Sequence, residues 1–139
     1  MFKKIAATTL AASALIIGGA TVSSATPTDS VCDIGEYCIY DGTNYGGAMR
    51  SFLTDFPNYA QANFVWPNSQ QSVSVNDRAS STRNNNAMMA LRAYENAYFG
   101  GDYREHRPAG SGCVALVCPS YNSLGSWDNN ALTSHQWIV

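Results

Sequence analysis

The sequence predicts an all-β domain in which two four-strand units pack as a sandwich of Greek keys. Three observations lead there. Short runs bearing Tyr and Val are broken by Gly, Asn and Pro, with no sustained helical period. The chain repeats two of its own signals at offsets of 54 and 53 residues. Its four cysteines all follow a segment with the marks of an export signal.

The chain opens MFKKIAATTLAASALIIGGATVSSATPT. Lys3 and Lys4 precede an apolar run from Ile5 to about Ala20, and Ser23 and Ala25 have the small-residue spacing of a signal-peptidase site. Residues 1–25 therefore read as a secretory signal cut after Ala25. The run is diluted by Thr, Ser and Gly and is shorter than the ~20 residues of a spanning helix, so no membrane anchor is expected in the mature form. Thr26 to Val139 remain, 114 residues and enough for one modest core. Residues 26–31 form a short tail, and 32–139 the domain.

Both lysines leave with the signal. The remaining six arginines and ten acids give a formal charge of −4. No basic stripe is left to follow a phosphate backbone, which argues against nucleic acid as a partner. Charged residues are scarce while Asn, Ser, Tyr and Gly abound, as in compact secreted β proteins with many turns. A secreted, extracellular monomer is expected.

Cys32, Cys38, Cys113 and Cys118 all lie beyond the signal, on an oxidising route. Four cysteines allow three pairings, and the sequence favours the two local ones, Cys32–Cys38 and Cys113–Cys118. The only histidines, His106 and His135, show no zinc-ligand spacing with them.

The repeat sets the elements in order. "YDGTNYGG" (Tyr40 to Gly47) aligns with "YENAYFGG" (Tyr94 to Gly101), matching Tyr40 to Tyr94, Tyr45 to Phe99 and Gly47 to Gly101. "NDRASS" (Asn76 to Ser81) aligns with "NNALTS" (Asn129 to Ser134). Both signals recur in the same order, so the domain reads as a duplication of about 32–85 and 86–139. In each half an apolar strand meets a turn rich in Asp, Asn and Gly and re-emerges extended. An aromatic on either side of the turn packs over a glycine that leaves room for the ring. "ALRAYEN" on its own could begin a helix, but its equivalence to "CIYDGTN" makes it a strand. "NYAQANFVWPNSQQS" (Asn58 to Ser72), long, polar and broken by Pro67, reads as loop with one helical turn.

Tyr or Phe, four residues, an aromatic, one residue and Gly, followed downstream by N/D-N/D-x-x-S/T-S, is the double signature of the βγ-crystallin superfamily. The chain resembles that superfamily from Cys32 to Val139. The resemblance implies two intertwined Greek keys, each half lending a strand to the other's sheet.

The second signature also has metal chemistry. Calcium takes six to eight oxygens from carboxylates, amides, hydroxyls, carbonyls and water. Asn76, Asp77 and Ser80 offer three such side chains within one turn, as do Asn129, Asn130 and Thr133. In the resembled family these combine with main-chain carbonyls of the other half's hairpin, and the hydroxyls (Ser80, Thr133) carry over as ligands. A plain Asx/Ser turn needs the same residues. The second set lacks a carboxylate, Asp128 lying just outside it, so the first should bind calcium more strongly, as a structural ion.

"GCVALVC" falls in the second half where the first has Ala60 to Phe64, and nothing there resembles its cysteines. Strand alternation would set Val114 and Leu116 against Ala115 and Val117. A buried strand with a clamp is one explanation. A narrower resemblance supplies another: the chain looks like the small secreted metalloproteinase inhibitors typified by the streptomycete one, peptidase inhibitor family 36. Their reactive bond is a Cys–Val peptide in a disulfide loop, which by position falls on Cys113–Val114. The resemblance implies an extracellular zinc metalloprotease of the thermolysin type as partner, with Val114 the bulky aliphatic residue after the scissile bond.

An enzyme is not expected: the chain has no nucleophile elbow, no H-E-x-x-H, no phosphate loop and only three glutamates, Glu36, Glu95 and Glu105. His106, in "YREHRPAG", reads as part of a solvated hairpin end, and His135 as an edge-strand residue. The alternative to inhibition is a calcium-binding extracellular module of the same fold.

Overall fold

The computed structural model describes residues 30–67, 71–112, 120–121, 124–125 and 129–139. Two antiparallel sheets face each other across one core. The first has the order β2-β1-β5-β8, from β1 (Tyr37–Tyr40), β2 (Met49–Phe52), β5 (Ser81–Asn84) and β8 (Ser120–Tyr121). The second is β7-β6-β9, from β6 (Ala90–Asn96), β7 (Gly100–His106) and β9 (Ser134–Ile138). A ribbon of β3 (Asn63–Phe64) and β4 (Val73–Ser74) hangs on β2 through the bridge between Met49 and Val65. Among the described residues the only helical turns are three short 3₁₀ turns, and no helix is long and apolar enough to cross a membrane.

β1 shows why this chain makes a sandwich. All four residues of "YCIY" are buried, because β1 is central in its sheet and covered on both faces. Tyr37 and Ile39 point inward with Phe52, Tyr59, Leu91 and Leu132. Cys38 and Tyr40 point outward with Met49, under Cys32. Burying each large apolar side chain contributes about 1.5–3 kcal/mol, so the inner face dominates the packing energy.

Each half reaches into the other's sheet. β8, from the second half, pairs with β5 of the first through Thr82–Tyr121 and Arg83–Ser120. In return Phe56 bridges His135 on β9, with reciprocal N–H···O bonds of 3.0 Å. "ALRAYEN" is strand β6, as its place in the repeat requires.

Two expectations need correction. The stretch from Asn58 holds its one helical turn, Tyr59–Gln61, capped by Asn58 Oδ1, but then enters β3 instead of remaining loop. His106 is not solvated: it is fully buried at the end of β7. Period-two alternation turns His106 inward among its charged neighbours, and it meets Tyr37 edge-on at 5.1 Å and Tyr121 at 4.9 Å.

Candidate functional site

Each half folds its hairpin over in the same way. Asn44 and Tyr45 take φ of 54° and 59°, and Tyr98 and Phe99 take 59° and 63°, a left-handed corner that extended strands cannot supply. Tyr40 meets Tyr45 at 5.6 Å, and Tyr94 meets Phe99 at 6.0 Å. Gly47 (φ 79°) and Gly101 (φ 77°) follow, and a Cβ at Gly47 would strike the Asp41 carboxylate.

One buried serine pins each corner. Ser81 Oγ donates to the Gly42 carbonyl (2.6 Å) and accepts from Tyr45 N–H (3.1 Å). Ser134 Oγ donates to the Asn96 carbonyl (2.6 Å) and accepts from Phe99 N–H (3.1 Å). These are the last residues of the two asparagine-rich signatures. Reading the sequence for metal ligands passed over them; the signal available was their place in the repeat.

The two signatures also meet each other. Asp77 N–H donates to Leu132 O (3.3 Å) and Asn130 N–H to Ala79 O (2.9 Å), a reciprocal crossing in which Asp77 and Asn130 adopt φ of 54° and 60°. Ser80 N–H donates to Tyr40 O and Thr133 N–H to Tyr94 O, each 2.8 Å. The Thr133 hydroxyl donates to Asp77 Oδ1 at 3.1 Å, across the halves, while Asn76 Nδ2 donates to the other oxygen of Asp77. Asn129 and Asn130 are exposed beside them, and Asp128 lies outside the described residues. The side chains that meet here are a carboxylate, an amide and a hydroxyl, oxygen-bearing groups of the kind a hard cation takes.

Cys32 and Cys38 form the expected disulfide. Glu36 brings an oxygen close to their sulfurs, but bridged sulfurs are not thiolate ligands, and this carboxylate is already used. It accepts from Asp33 N–H (2.8 Å) and Ser51 Oγ (3.1 Å) while 1 % exposed.

Cys113, Val114 and Cys118 lie outside the described residues; the roots of their segment do not. It leaves β7 at His106 and returns at Ser120 in β8. Across those roots the Tyr121 ring packs on His106, its hydroxyl donates to Glu105 O (3.3 Å), and the Arg104 guanidinium stacks on it at 4.6 Å. Asn84 Nδ2 donates to Arg107 O (2.8 Å) and Ala109 N–H to Asn86 O (2.6 Å).

His135 is fully buried on edge strand β9. Nε2–H donates to Thr54 O (2.9 Å), so Nδ1 accepts from the Tyr59 hydroxyl (2.8 Å). Burial disfavours the imidazolium and pushes its pKa down to about 3, the Thr54 carbonyl opposing the shift. Burial likewise raises the Tyr59 hydroxyl well above its usual range.

Residues 25–105, more than half of the chain, match peptidase inhibitor family I36. The chain belongs to that family. The match takes in both folded hairpins, the Cys32–Cys38 disulfide and the first asparagine-rich signature, and it ends before Cys113. None of the curated proteins matches the chain. Among solved structures, one concerning the evolution of the eye-lens βγ-crystallin domain fold is 15 % identical, with a TM-score of 0.58 over 78 % of this chain and 93 % of that one. A βγ-crystallin from an archaeon is 22 % identical, with a TM-score of 0.52 over 76 % of this chain and 100 % of that one. A clostrillin double mutant solved in complex with nickel is 19 % identical, with a TM-score of 0.53 over 75 % and 98 %. At such identities the likeness is one of fold. This family I36 chain is thus a βγ-crystallin-like sandwich, with a peptidase inhibitor's family membership.

Proposed function

We propose that the protein is exported, loses residues 1–25, and as a monomer of residues 26–139 inhibits extracellular zinc metalloproteases of the thermolysin type. Membership of a peptidase inhibitor family carries the inhibitory role. The finer reading is that Cys113 and Cys118 close a loop whose Cys113–Val114 bond lies in the protease cleft, with Val114 in the pocket after the scissile bond. The root geometry supports it: Tyr121, His106 and Arg104 hold both ends of the segment on the core, so a loop raised there starts from a fixed base. A closed, anchored loop gives up little entropy on docking and keeps the cut ends together if hydrolysed.

The test is titration of the purified protein into thermolysin, followed by peptide hydrolysis. Stoichiometric loss of activity is expected. Val114→Asp should abolish it without unfolding the domain, since an aliphatic pocket would have to bury an unpaired carboxylate. Val114→Leu should preserve it. If Val114→Asp instead collapses the melting transition, the run is core.

One observation favours a second reading, a calcium-stabilised module without inhibitory activity. Asp77 and Thr133, from different halves, bring a carboxylate and a hydroxyl together at 3.1 Å. Asn76, Asp77 and Ser80 with Asn129, Asn130 and Thr133 would hold the ion, which would tie the halves together. Protein that responds to calcium and leaves thermolysin untouched would favour this reading.

A further inference from the structure

We propose that the Cys32–Cys38 loop is a second protease-binding element, with Ile34 as its anchor. The inference rests on the inhibitory reading above and extends it to a part of the chain that the reactive bond does not touch.

Ile34 stands at the tip of a seven-residue disulfide loop and is 86 % exposed. A lone exposed aliphatic residue is ordinary. The main chain that carries this one is not, because the protein holds it almost group by group. Glu36, buried, accepts Asp33 N–H at 2.8 Å and returns its own N–H to Asp33 O at 3.3 Å. Asn85 accepts Gly35 N–H (3.0 Å), donates its N–H to Glu36 O (2.8 Å), and spreads Nδ2 over Cys32 O (3.0 Å) and Asp33 O (2.9 Å). Asn86 Nδ2 reaches Gly35 O at 3.4 Å. Gly35 supplies the positive φ (98°) that the turn needs. A buried carboxylate, two asparagines and a disulfide thus immobilise a loop whose large apolar side chain faces water. Such a side chain docks without the ordering cost that a mobile loop would add.

The same asparagines tie the loop to the root from which the proposed reactive segment continues. Asn86 meets Gly35 through its side chain and takes Ala109 N–H on its carbonyl, three residues before Gly112. Asn84 ties Arg107 O to Met89 O, both at 2.8 Å. Met88, 88 % exposed, adds a pliable apolar side chain to this turn, its N–H held by Asn86 Oδ1. A protease engaged by the segment that continues from this root is the partner proposed for Ile34 and Met88. The contact is not a second substrate bond. The Asp33 carbonyl oxygen already accepts two hydrogen bonds, from Glu36 N–H and Asn85 Nδ2, so the Asp33–Ile34 peptide does not offer that oxygen to a catalytic zinc.

The experiment compares inhibition constants, dissociation rates and melting curves of wild type, Ile34→Ala, Ile34→Asp and Val114→Asp against thermolysin. Ile34→Asp should weaken inhibition by about tenfold or more and Ile34→Ala by less, mostly through faster dissociation, with melting unchanged because the side chain is exposed. The Asp33–Ile34 bond should stay intact on long incubation. Wild-type constants in both Ile34 variants, with inhibition lost in Val114→Asp, would overturn this inference alone. Wild-type protein that leaves thermolysin active would overturn the inhibitory reading and this inference with it.

Discussion

The two hairpins of this molecule are near copies, and the connections that follow them are not. At the hairpins the repeat survives in detail: the same left-handed pair, the same aromatic contact, and the same serine bonded to the same two backbone groups. After the first hairpin the chain dives into the core, where Tyr59 N–H donates to Thr133 O (2.7 Å) and its ring packs against Phe52 and His135. After the second it crosses from His106 to Tyr121, carrying the added cysteines between. Duplicated sequence persists where a strained corner admits few solutions. It diverges where the chain need only travel from one sheet to the other, and the proposed binding function sits on such a crossing.

The strongest way to probe that difference is pH, because His135 of β9 is hydrogen-bonded by Tyr59 and Thr54 of the first connection. Its pKa is about 3 in the fold, against about 6.5 in an unfolded chain. The unfolded state therefore binds the extra proton between those values. The stability is whole above pH 6.5 and drains away as pH falls toward 3, by about 1.4 kcal/mol per unit and on the order of 5 kcal/mol in all. Carboxylates contribute to acid unfolding as well, so the measurement is a difference. Urea unfolding of His135→Gln should show a shallower loss between pH 6.5 and 4 than wild type. Equal slopes would mean that burial does not hold the histidine neutral in the fold.

Next in size come the serine pins. Ser81→Ala and Ser134→Ala each strip two part-buried backbone groups of their partner, at a cost of about 1 kcal/mol or somewhat more. Since both serines are fully buried and make matching bonds, the two losses should agree within experimental error in chemical denaturation. A marked inequality would break the equivalence of the hairpins.

How far the sequence disclosed all this follows the same divide. Tyr40, Tyr45 and Gly47 with Tyr94, Phe99 and Gly101 revealed the corners, because local backbone demands leave residue types at fixed spacing. Ser81 and Ser134 were visible as repeat members but not as pins, since their partners lie 39 and 38 residues away. His106 looked solvated because Arg104, Glu105 and Arg107 surround it in the chain. Strand alternation and Tyr121, brought in from the far side of the crossing, bury it. No local sequence signal marks Asn84, Asn85 and Asn86, because their work of joining the Cys32–Cys38 loop to the root of the second crossing is wholly tertiary.

The smallest expected effect concerns the asparagine-rich crossing, where the halves share a backbone and differ in side chains. Millimolar calcium should raise the melting temperature, for a ligand bound only by the native state stabilises it by mass action. At ten times a dissociation constant typical of extracellular modules, on the order of 10⁻⁴ to 10⁻³ M, the gain is about 1.4 kcal/mol per site. The sequence assigns the stronger site to the Asn76–Ser80 turn, because it holds the only carboxylate of the two signatures. In the fold that carboxylate accepts from Thr133 of the opposite half, so its contribution is shared across the crossing. Asp77→Asn should therefore remove most of the calcium response, and Thr133→Ala should remove at least as much as Ser80→Ala. If Ser80→Ala alone abolishes the response while Thr133→Ala leaves it whole, the ion sits in one turn and does not join the halves. A wild-type protein indifferent to calcium would leave Asp77 and Thr133 as a hydrogen bond between the two crossings and nothing more.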